Sequence, residues 1–135
     1  MADTTEFELV SPERLVASEQ VAMVVVPGAE GDFGVLPQHS PMISTIRPGV
    51  ISVYSDDANS VSRQIFVAGG FAEVTGERCT VLAEEAVAVA DLDAGAARDR
   101  LSAAESAMGS AESDSEKNAA ARELAIASAM VAAAA

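Results

Sequence analysis

The spacing of apolar residues changes at Asp91, and this change divides the chain into two parts with different secondary structure. Before it, apolar and polar residues alternate, as in Glu6-Phe7-Glu8-Leu9, which is the two-residue period of a strand. After it, the chain is rich in alanine, lacks proline and repeats apolar residues at helical spacing. The sequence therefore predicts a strand domain over residues 1–90 and a helical domain over residues 91–135.

Turn-forming residues occur about every 8–12 residues in the first part, and this spacing is typical of an antiparallel sandwich or barrel. The strands between them are rich in β-branched and aromatic side chains, and we count about ten. The turn signals are Ser11-Pro12, Pro27-Gly28, Pro48-Gly49, Asp56-Asp57-Ala58-Asn59, Gly69-Gly70 and Thr75-Gly76. The predicted fold is an antiparallel β-sandwich followed by an antiparallel two-helix hairpin.

The second part contains two apolar seams of similar length, and each has signals for its ends. An aspartate of the Asp91-Leu92-Asp93 segment caps the first helix, Gly109 offers a left-handed C-terminal cap, and Ser113-x-x-Glu116 is a capping box for the second helix. Because the seams are mainly alanine, they bury little area, and we expect the hairpin to rest on another surface from which it can separate. The seams are Ala97, Leu101, Ala104 and Met108, and Ala120, Leu124, Ala127 and Val131.

Charge and cysteine content exclude several classes of protein. The formal net charge of −13 opposes direct binding to nucleic acid or to anionic lipid. The single Cys79 excludes an internal disulfide, and its neighbours predict a strand in which it is buried. The polar first residues do not resemble a secretory signal, and the apolar run 124–135 is shorter than the ~20 residues of a membrane helix. We expect a chain that is soluble by itself.

No catalytic or metal-binding motif is found. Gly28-x-x-Gly31-x-x-Gly34 lacks the lysine and the following helix of a phosphate loop, and one histidine with one cysteine is too few for a zinc site built from those residues. No nucleophile elbow accompanies His39. We therefore predict neither an enzyme nor a bound cofactor. A free-standing sandwich that binds a small ligand remains an alternative, and a hydrolase has little support.

A set of ordered motifs resembles the epsilon subunit of bacterial F-type ATP synthases, whose mitochondrial counterpart is called delta. The similarity is strong over residues 6–90 and rests on architecture in the helical part. The motifs are Phe7-Glu8-Leu9-Val10-Ser11-Pro12-Glu13, Gly28-x-x-Gly31-Asp32-Phe33-Gly34-Val35-Leu36-Pro37-x-His39-Ser40-Pro41, Ile46-Arg47-Pro48-Gly49-Val50, Phe66-Val67-Ala68-Gly69-Gly70-Phe71-Ala72-Glu73-Val74 and Val81-Leu82-Ala83-Glu84-Glu85-Ala86.

The resemblance implies a β-sandwich with a C-terminal helical hairpin, in agreement with the periods above. It also implies a non-catalytic subunit of the rotating central stalk, which binds the gamma subunit and the membrane-embedded c-ring and couples proton flow to ATP synthesis. Such a subunit is peripheral and lies on the cytoplasmic face of the bacterial inner membrane as part of the complex. In many bacteria the hairpin extends along gamma toward the alpha and beta subunits and restrains ATP hydrolysis.

The resemblance also assigns contact residues, and a glycine- and proline-rich stretch would give those contacts a fixed shape. We expect the carboxylate of Asp32 to be solvated in the free protein. The c-ring contacts implied are Glu30, Gly31, Asp32 and Phe33, and the gamma contacts implied are Ser11, His39, Ser40, Met42 and Ser44.

The helical part departs from the ATP-binding motif of some family members, Ile/Leu-Asp-x-x-Arg-Ala. Asp93 is kept, but Ala96 replaces the arginine, which leaves Arg98 and Arg100 as the nearest cations. A nucleotide site would have to use Asp93, Arg98 and Arg100. Since Ala96 removes the arginine of the motif, we expect weak ATP binding. Since the second helix has only two basic residues, we also expect weak inhibition of hydrolysis.

Overall fold

A computed structural model describes residues 4–135; residues 1–3, which belong to the predicted strand domain 1–90, lie outside the described part. Ten strands are followed by a short 3-10 helix, Val89–Asp91, and by two long helices, α1 (Ala94–Ser110) and α2 (Asp114–Ala134). The strands are β1 (Thr5–Val10), β2 (Leu15–Val21), β3 (Met23–Gly28), β4 (Gly31–Val35), β5 (Met42–Ile46), β6 (Gly49–Tyr54), β7 (Arg63–Val67), β8 (Gly70–Val74), β9 (Arg78–Ala83) and β10 (Ala86–Ala88).

The strands form a sandwich-like sheet that folds over itself. Their order is β10-β7-β6-β3-β5-β8-β9-β1-β2, and β4 pairs with β3 outside this path. Strand β3 joins the two halves, because Met23–Val25 pair with β6 whereas Gly28 pairs with Ile46 of β5. The predicted fold class, a β-sandwich followed by two helices, is confirmed.

One pair of strands differs from the predicted antiparallel pattern. Strands β1 and β9 pair in parallel, with Phe7 opposite Cys79 and Leu9 opposite Val81. The two strands are far apart in sequence, and no local turn dictates their relative direction, so strand periodicity could not reveal it.

The core lies between the two layers and is built from the inward positions of alternating strands. Cys79 is fully buried within it, as expected for a strand cysteine. The largest fully buried side chains of this core are Phe7, Leu9, Val21, Val24, Val26, Val35, Ile51, Val53, Val67, Val74 and Val81.

Both predicted N-terminal caps are present. The Asp93 side chain accepts hydrogen bonds from the backbone N–H groups of Gly95 (2.8 Å) and Ala96 (3.1 Å), which satisfies two donors of the first turn of α1. The Ser113 hydroxyl oxygen accepts from the backbone N–H of Glu116 (3.1 Å) and also lies 3.1 Å from its carboxylate. These local bonds explain where each helix begins.

The predicted C-terminal cap at Gly109 is wrong. Helix α1 continues to Ser110, and its C-cap is Ala111 in an extended conformation, with φ −68° and ψ 133°. Gly109 is not among the glycines with positive φ. Since the chain leaves the helix through extended backbone and reaches the Ser113 cap at once, no left-handed residue is needed.

The helical hairpin rests on the sandwich. In each predicted seam the two alanines are buried, whereas the two larger side chains are half-buried. The main contact with the sheet comes from two residues outside the seams, Ile126 and Met130, which pack with Phe66 and Ala68. The expectation that the hairpin rests on another surface is confirmed, and the contact uses larger side chains than the alanine seams offer. The buried seam residues are Ala97, Ala104, Ala120 and Ala127.

Candidate functional site

The turn between β3 and β4 has a shape that requires glycine at both ends. Gly31 has φ +140°, a conformation that side chains rarely adopt. A Cβ atom on Gly28 would lie 2.7 Å from the Gly31 carbonyl oxygen and 3.0 Å from the Phe33 ring. The two glycines thus set a two-residue turn, Ala29-Glu30, and not a phosphate loop.

Asp32 lies next to this turn and is paired with a cation. Its carboxylate is 2.6 Å from the Arg47 guanidinium, and the same guanidinium donates to the Gly28 carbonyl oxygen at 2.5 Å. The Asp32 side chain is 60 % exposed, so the expectation of solvation holds only in part. Sequence reasoning missed this pair because residues 32 and 47 meet only through the pairing of Gly28 with Ile46.

The structure brings the predicted c-ring residues together with two of the predicted gamma residues. One surface cavity of about 440 Å³ is lined by both sets. It contains Glu30, Gly31, Asp32 and Phe33 from the turn and Met42 and Ser44 from β5, together with Ala29, Ile43 and Thr45.

The other predicted gamma residues lie elsewhere. His39 and Ser40 follow Gln38, whose φ is +67°, and line a polar depression with Glu6 and Glu77. The His39 ring nitrogen Nδ1 is 2.6 Å from the Ser40 carbonyl oxygen. Ser11 lies in the β1–β2 turn, where the chain reverses and the Ser11 backbone N–H donates to the Arg14 carbonyl oxygen at 3.0 Å. The five predicted residues therefore occupy three separate places.

An exposed row of mostly apolar side chains crosses five strands, and sequence reasoning did not identify it. In this apolar row, Phe71 is 50 % exposed, Leu82 is 42 % exposed and Leu15 is 55 % exposed. The alternation of β8 and β9 contains a signal for it, since both strands place a large apolar residue among outward polar ones. Successive partners in the register are Thr45, Phe71, Leu82, Val10 and Leu15.

A cavity of about 600 Å³ adjoins the apolar row. Ile46, Ala68 and Gly69 line it together with members of the row, and Ser11 lies at the same cavity. Arg122 of α2 also lines the cavity and pairs with Glu84 at 3.2 Å. The arrangement is an apolar surface bordered by polar groups, which is typical of a site for another protein.

Ionic contacts join the hairpin to the sandwich at a docking junction made by Arg100 with Glu85 and Glu123. The Arg100 guanidinium lies 2.8 and 3.1 Å from the two oxygens of Glu85 and 2.5 and 3.3 Å from those of Glu123. The hydrogen bonds to Glu123 and Glu85 raise the pKa of Arg100, and the bond from Arg100 lowers the pKa of Glu123. One cation therefore links α1, α2 and the β9–β10 loop.

The three residues predicted for a nucleotide site make different contacts in the structure. Asp93 caps α1, Arg100 is held by two carboxylates, and Arg98 is exposed on the helix surface. A phosphate group would have to displace Glu85 and Glu123 from Arg100.

Within residues 4–135, no group of three or more histidine, cysteine, aspartate or glutamate side chains is arranged to hold a metal ion. Of the helices in the described part of the chain, none combines the length and apolarity needed to cross a membrane.

Known proteins show similarity over nearly the whole chain. Residues 4–89 match the family described as ATP synthase, Delta/Epsilon chain, beta-sandwich domain. The ATP synthase epsilon chain of Rhodospirillum rubrum is 60 % identical over 98 % of each chain, and that of Paramagnetospirillum magneticum is 56 % identical over 98 % of each chain. A chain in the cryo-EM structure of the Euglena gracilis mitochondrial ATP synthase, OSCP/F1/c-ring, has a TM-score of 0.83 at 22 % identity, covering 98 % of this chain and 82 % of that one. This last likeness shows the fold alone.

Proposed function

Because the chain belongs to the ATP synthase delta/epsilon family, we propose that it is the non-catalytic epsilon subunit of the rotating central stalk of a proton-translocating F-type ATP synthase. The observation that carries the proposal is the identity with epsilon chains along almost all of both sequences. The subunit couples proton flow through the c-ring to ATP synthesis. It is peripheral and lies on the cytoplasmic face of the bacterial inner membrane within the complex.

The gamma subunit binds along the apolar row. Exposed side chains such as Phe71 and Leu82 lose water when a partner covers them, and burial of apolar area contributes about 25 cal/mol per Å² before the costs of association. Ser11 borders the cavity beside the row, whereas Met42 and Ser44 alternate with the row's Thr45 along β5 and lie on the other face of that strand. His39 and Ser40 directly precede β5, so a partner lying along that strand reaches them as well.

The c-ring binds at the β3–β4 turn. Glu30 and Asp32 are exposed, and the backbone around them is fixed by Gly28 and Gly31. A fixed turn with exposed polar groups suits a contact that must transmit torque, because little entropy is lost when it forms.

The hairpin regulates ATP hydrolysis only weakly. In the docked arrangement Arg100 is already neutralised by Glu85 and Glu123, so it offers no free cation to a nucleotide or to an acidic catalytic subunit. We expect calorimetry to detect no ATP binding at cellular concentrations. We also expect deletion of residues 91–135 to raise hydrolysis modestly.

Affinity purification from membranes tests the proposal. The tagged chain is expected to recover gamma and c subunits, and Phe71→Glu is expected to lose gamma, because a buried carboxylate on the apolar row lacks a partner. Gln64→Glu, on the exposed side of β7, is the matched control and should retain gamma. Recovery of a monomer whose melting temperature rises with a small ligand would instead support a ligand-binding sandwich.

A further inference from the structure

We infer that Arg47 is the positioning residue of the β3–β4 turn and sets the geometry in which this turn meets the c-ring. The inference rests on the proposed function, because it concerns the surface assigned there to the c-ring. Arg47 acts through Asp32 and Gly28, which it bonds on both sides of the turn.

The end of β5 clamps the turn through backbone and side-chain bonds. The Arg47 backbone N–H donates to the Pro27 carbonyl oxygen at 3.0 Å, and the Ala29 N–H donates to the Thr45 carbonyl oxygen at 2.8 Å. The Arg47 guanidinium then reaches Gly28 on β3 with Nη1 and Asp32 on β4 with Nη2. One side chain therefore ties together the two strands that enter and leave the turn.

This position requires an arginine and not only a positive charge. The planar guanidinium offers separate N–H donors in a fixed fork, so it can bond a carbonyl oxygen and a carboxylate at once. Gly28 is buried, so its carbonyl oxygen depends on partners inside the protein, whereas Asp32 is exposed. Lysine would keep the positive charge, but its ammonium group sits on a flexible stem and lacks the fixed fork of donors.

The pairing also decides which charge the turn presents. Arg47 neutralises Asp32, whereas Glu30 takes part in no ion pair with any residue from 4 to 135. The turn therefore offers one uncompensated carboxylate at a fixed place beside a neutral pair. The partner surface that fits it offers N–H donors or a cation opposite Glu30.

The test uses the assembled ATP synthase and measures proton pumping per ATP hydrolysed. Arg47→Ala is expected to lower this coupling ratio about three- to tenfold, the range for loss of one hydrogen bond of ordinary strength, because the guanidinium and the Asp32 carboxylate are both exposed and solvent screens their charges. Arg47→Lys should restore only part of it. Arg63→Ala is the matched control, because Arg63 is a similarly exposed arginine that pairs with Glu19 away from the turn, and it should leave the ratio unchanged.

Two further measurements separate positioning from general destabilisation. Arg47→Ala should assemble with gamma in normal amount, and amide exchange at Glu30 and Gly31 should accelerate while exchange in β6 and β9 stays as in the wild type. Uniform acceleration across the sheet would assign Arg47 a structural role and overturn the inference. If Arg47→Ala does not assemble, Arg47→Lys provides the test instead, and a wild-type coupling ratio in Arg47→Lys would also overturn the inference.

Failure of the inference and failure of the proposed function give different results. If Asp32→Ala and Glu30→Ala lower the coupling ratio but Arg47→Ala does not, the c-ring contact stands and the positioning role is refuted. If none of the three variants changes the ratio, the c-ring contact itself is refuted and the positioning role with it.

Discussion

Replacing Arg100 by alanine should weaken the docking of the helical hairpin on the sandwich. The side chain is 29 % exposed, and its partners Glu85 and Glu123 are 39 % and 40 % exposed, so solvent screens the contacts in part. Exposed ion pairs contribute ~0.2–1 kcal/mol each, and bidentate geometry favours the upper end. Only the pair with Glu85 crosses from the hairpin to the sandwich, because Glu123 lies on α2 of the same hairpin. Loss of that crossing pair costs the docked state up to about 1 kcal/mol, which lowers the ratio of docked to separated hairpins up to about fivefold.

Hydrogen exchange measures this shift. In Arg100→Ala, amides of β7 and β10 beside the hairpin should exchange faster, whereas amides of β1 and β9 should keep their wild-type rates. Arg98→Ala is the matched control, because Arg98 lies on the same helix, is exposed and makes no ion pair with the residues that the structure describes. The difference between the two variants should shrink at high salt, which screens exposed charges.

The pH dependence of the junction follows from Glu123. The hydrogen bond from Arg100 keeps the pKa of Glu123 below the ordinary glutamate value of 4.5 in the folded protein, so the contribution of Glu123 to holding α2 against α1 is complete above that value and is lost as the pH falls through the lowered pKa. Amides of α1 and α2 should therefore exchange more slowly in the wild type than in Arg100→Ala at neutral pH, and the two exchange rates should converge in acid. Equal exchange in Arg98→Ala and Arg100→Ala, or a difference that grows in acid, would refute the reasoning.

Three further predictions concern the sandwich. Gly70→Ala should lower the free energy of unfolding by at least ~1–3 kcal/mol in a denaturant titration, because the φ of Gly70 is +139° and the new Cβ would lie 1.9 Å from the Leu82 carbonyl oxygen. Gly76→Ala is the control and should change the free energy of unfolding little, because no atom lies within 4 Å of its new Cβ. Cys79 should react with a thiol reagent only as fast as the protein unfolds, because burial raises the pKa of its thiol to about 12, and rapid reaction of the native protein would contradict this. A fragment of residues 1–90 should melt cooperatively by circular dichroism, since its core is built between its own strands; a disordered fragment would contradict the two-domain division.

Features set by neighbouring residues could be predicted from the sequence. The change of period at Asp91 separates strands from helices, and the caps at Asp93 and Ser113 depend on side chains that reach N–H groups two or three residues ahead. The burial of Cys79 follows from its place in an alternating strand. Gly109 shows the limit of such signals, because a glycine permits a left-handed cap but does not impose one.

Features that depend on strand partners could not be predicted in the same way. The apolar row exists only because β5, β8, β9, β1 and β2 lie side by side, with one pair parallel. The pair between Asp32 and Arg47 likewise depends on where β5 meets β3. Motif similarity named Asp32 as a contact residue, but only the fold shows which cation holds it.

ATP-driven proton pumping in membranes stripped of this chain tests the central claim most directly. Adding the purified protein should restore pumping to a saturating level, and adding Phe71→Glu at the same concentration should not, because under the proposed function gamma covers the apolar row and the new carboxylate would be buried there without a partner. Unchanged pumping after addition of the wild-type protein, or full restoration by Phe71→Glu, would contradict the account of this chain as a rotor subunit held through the apolar row.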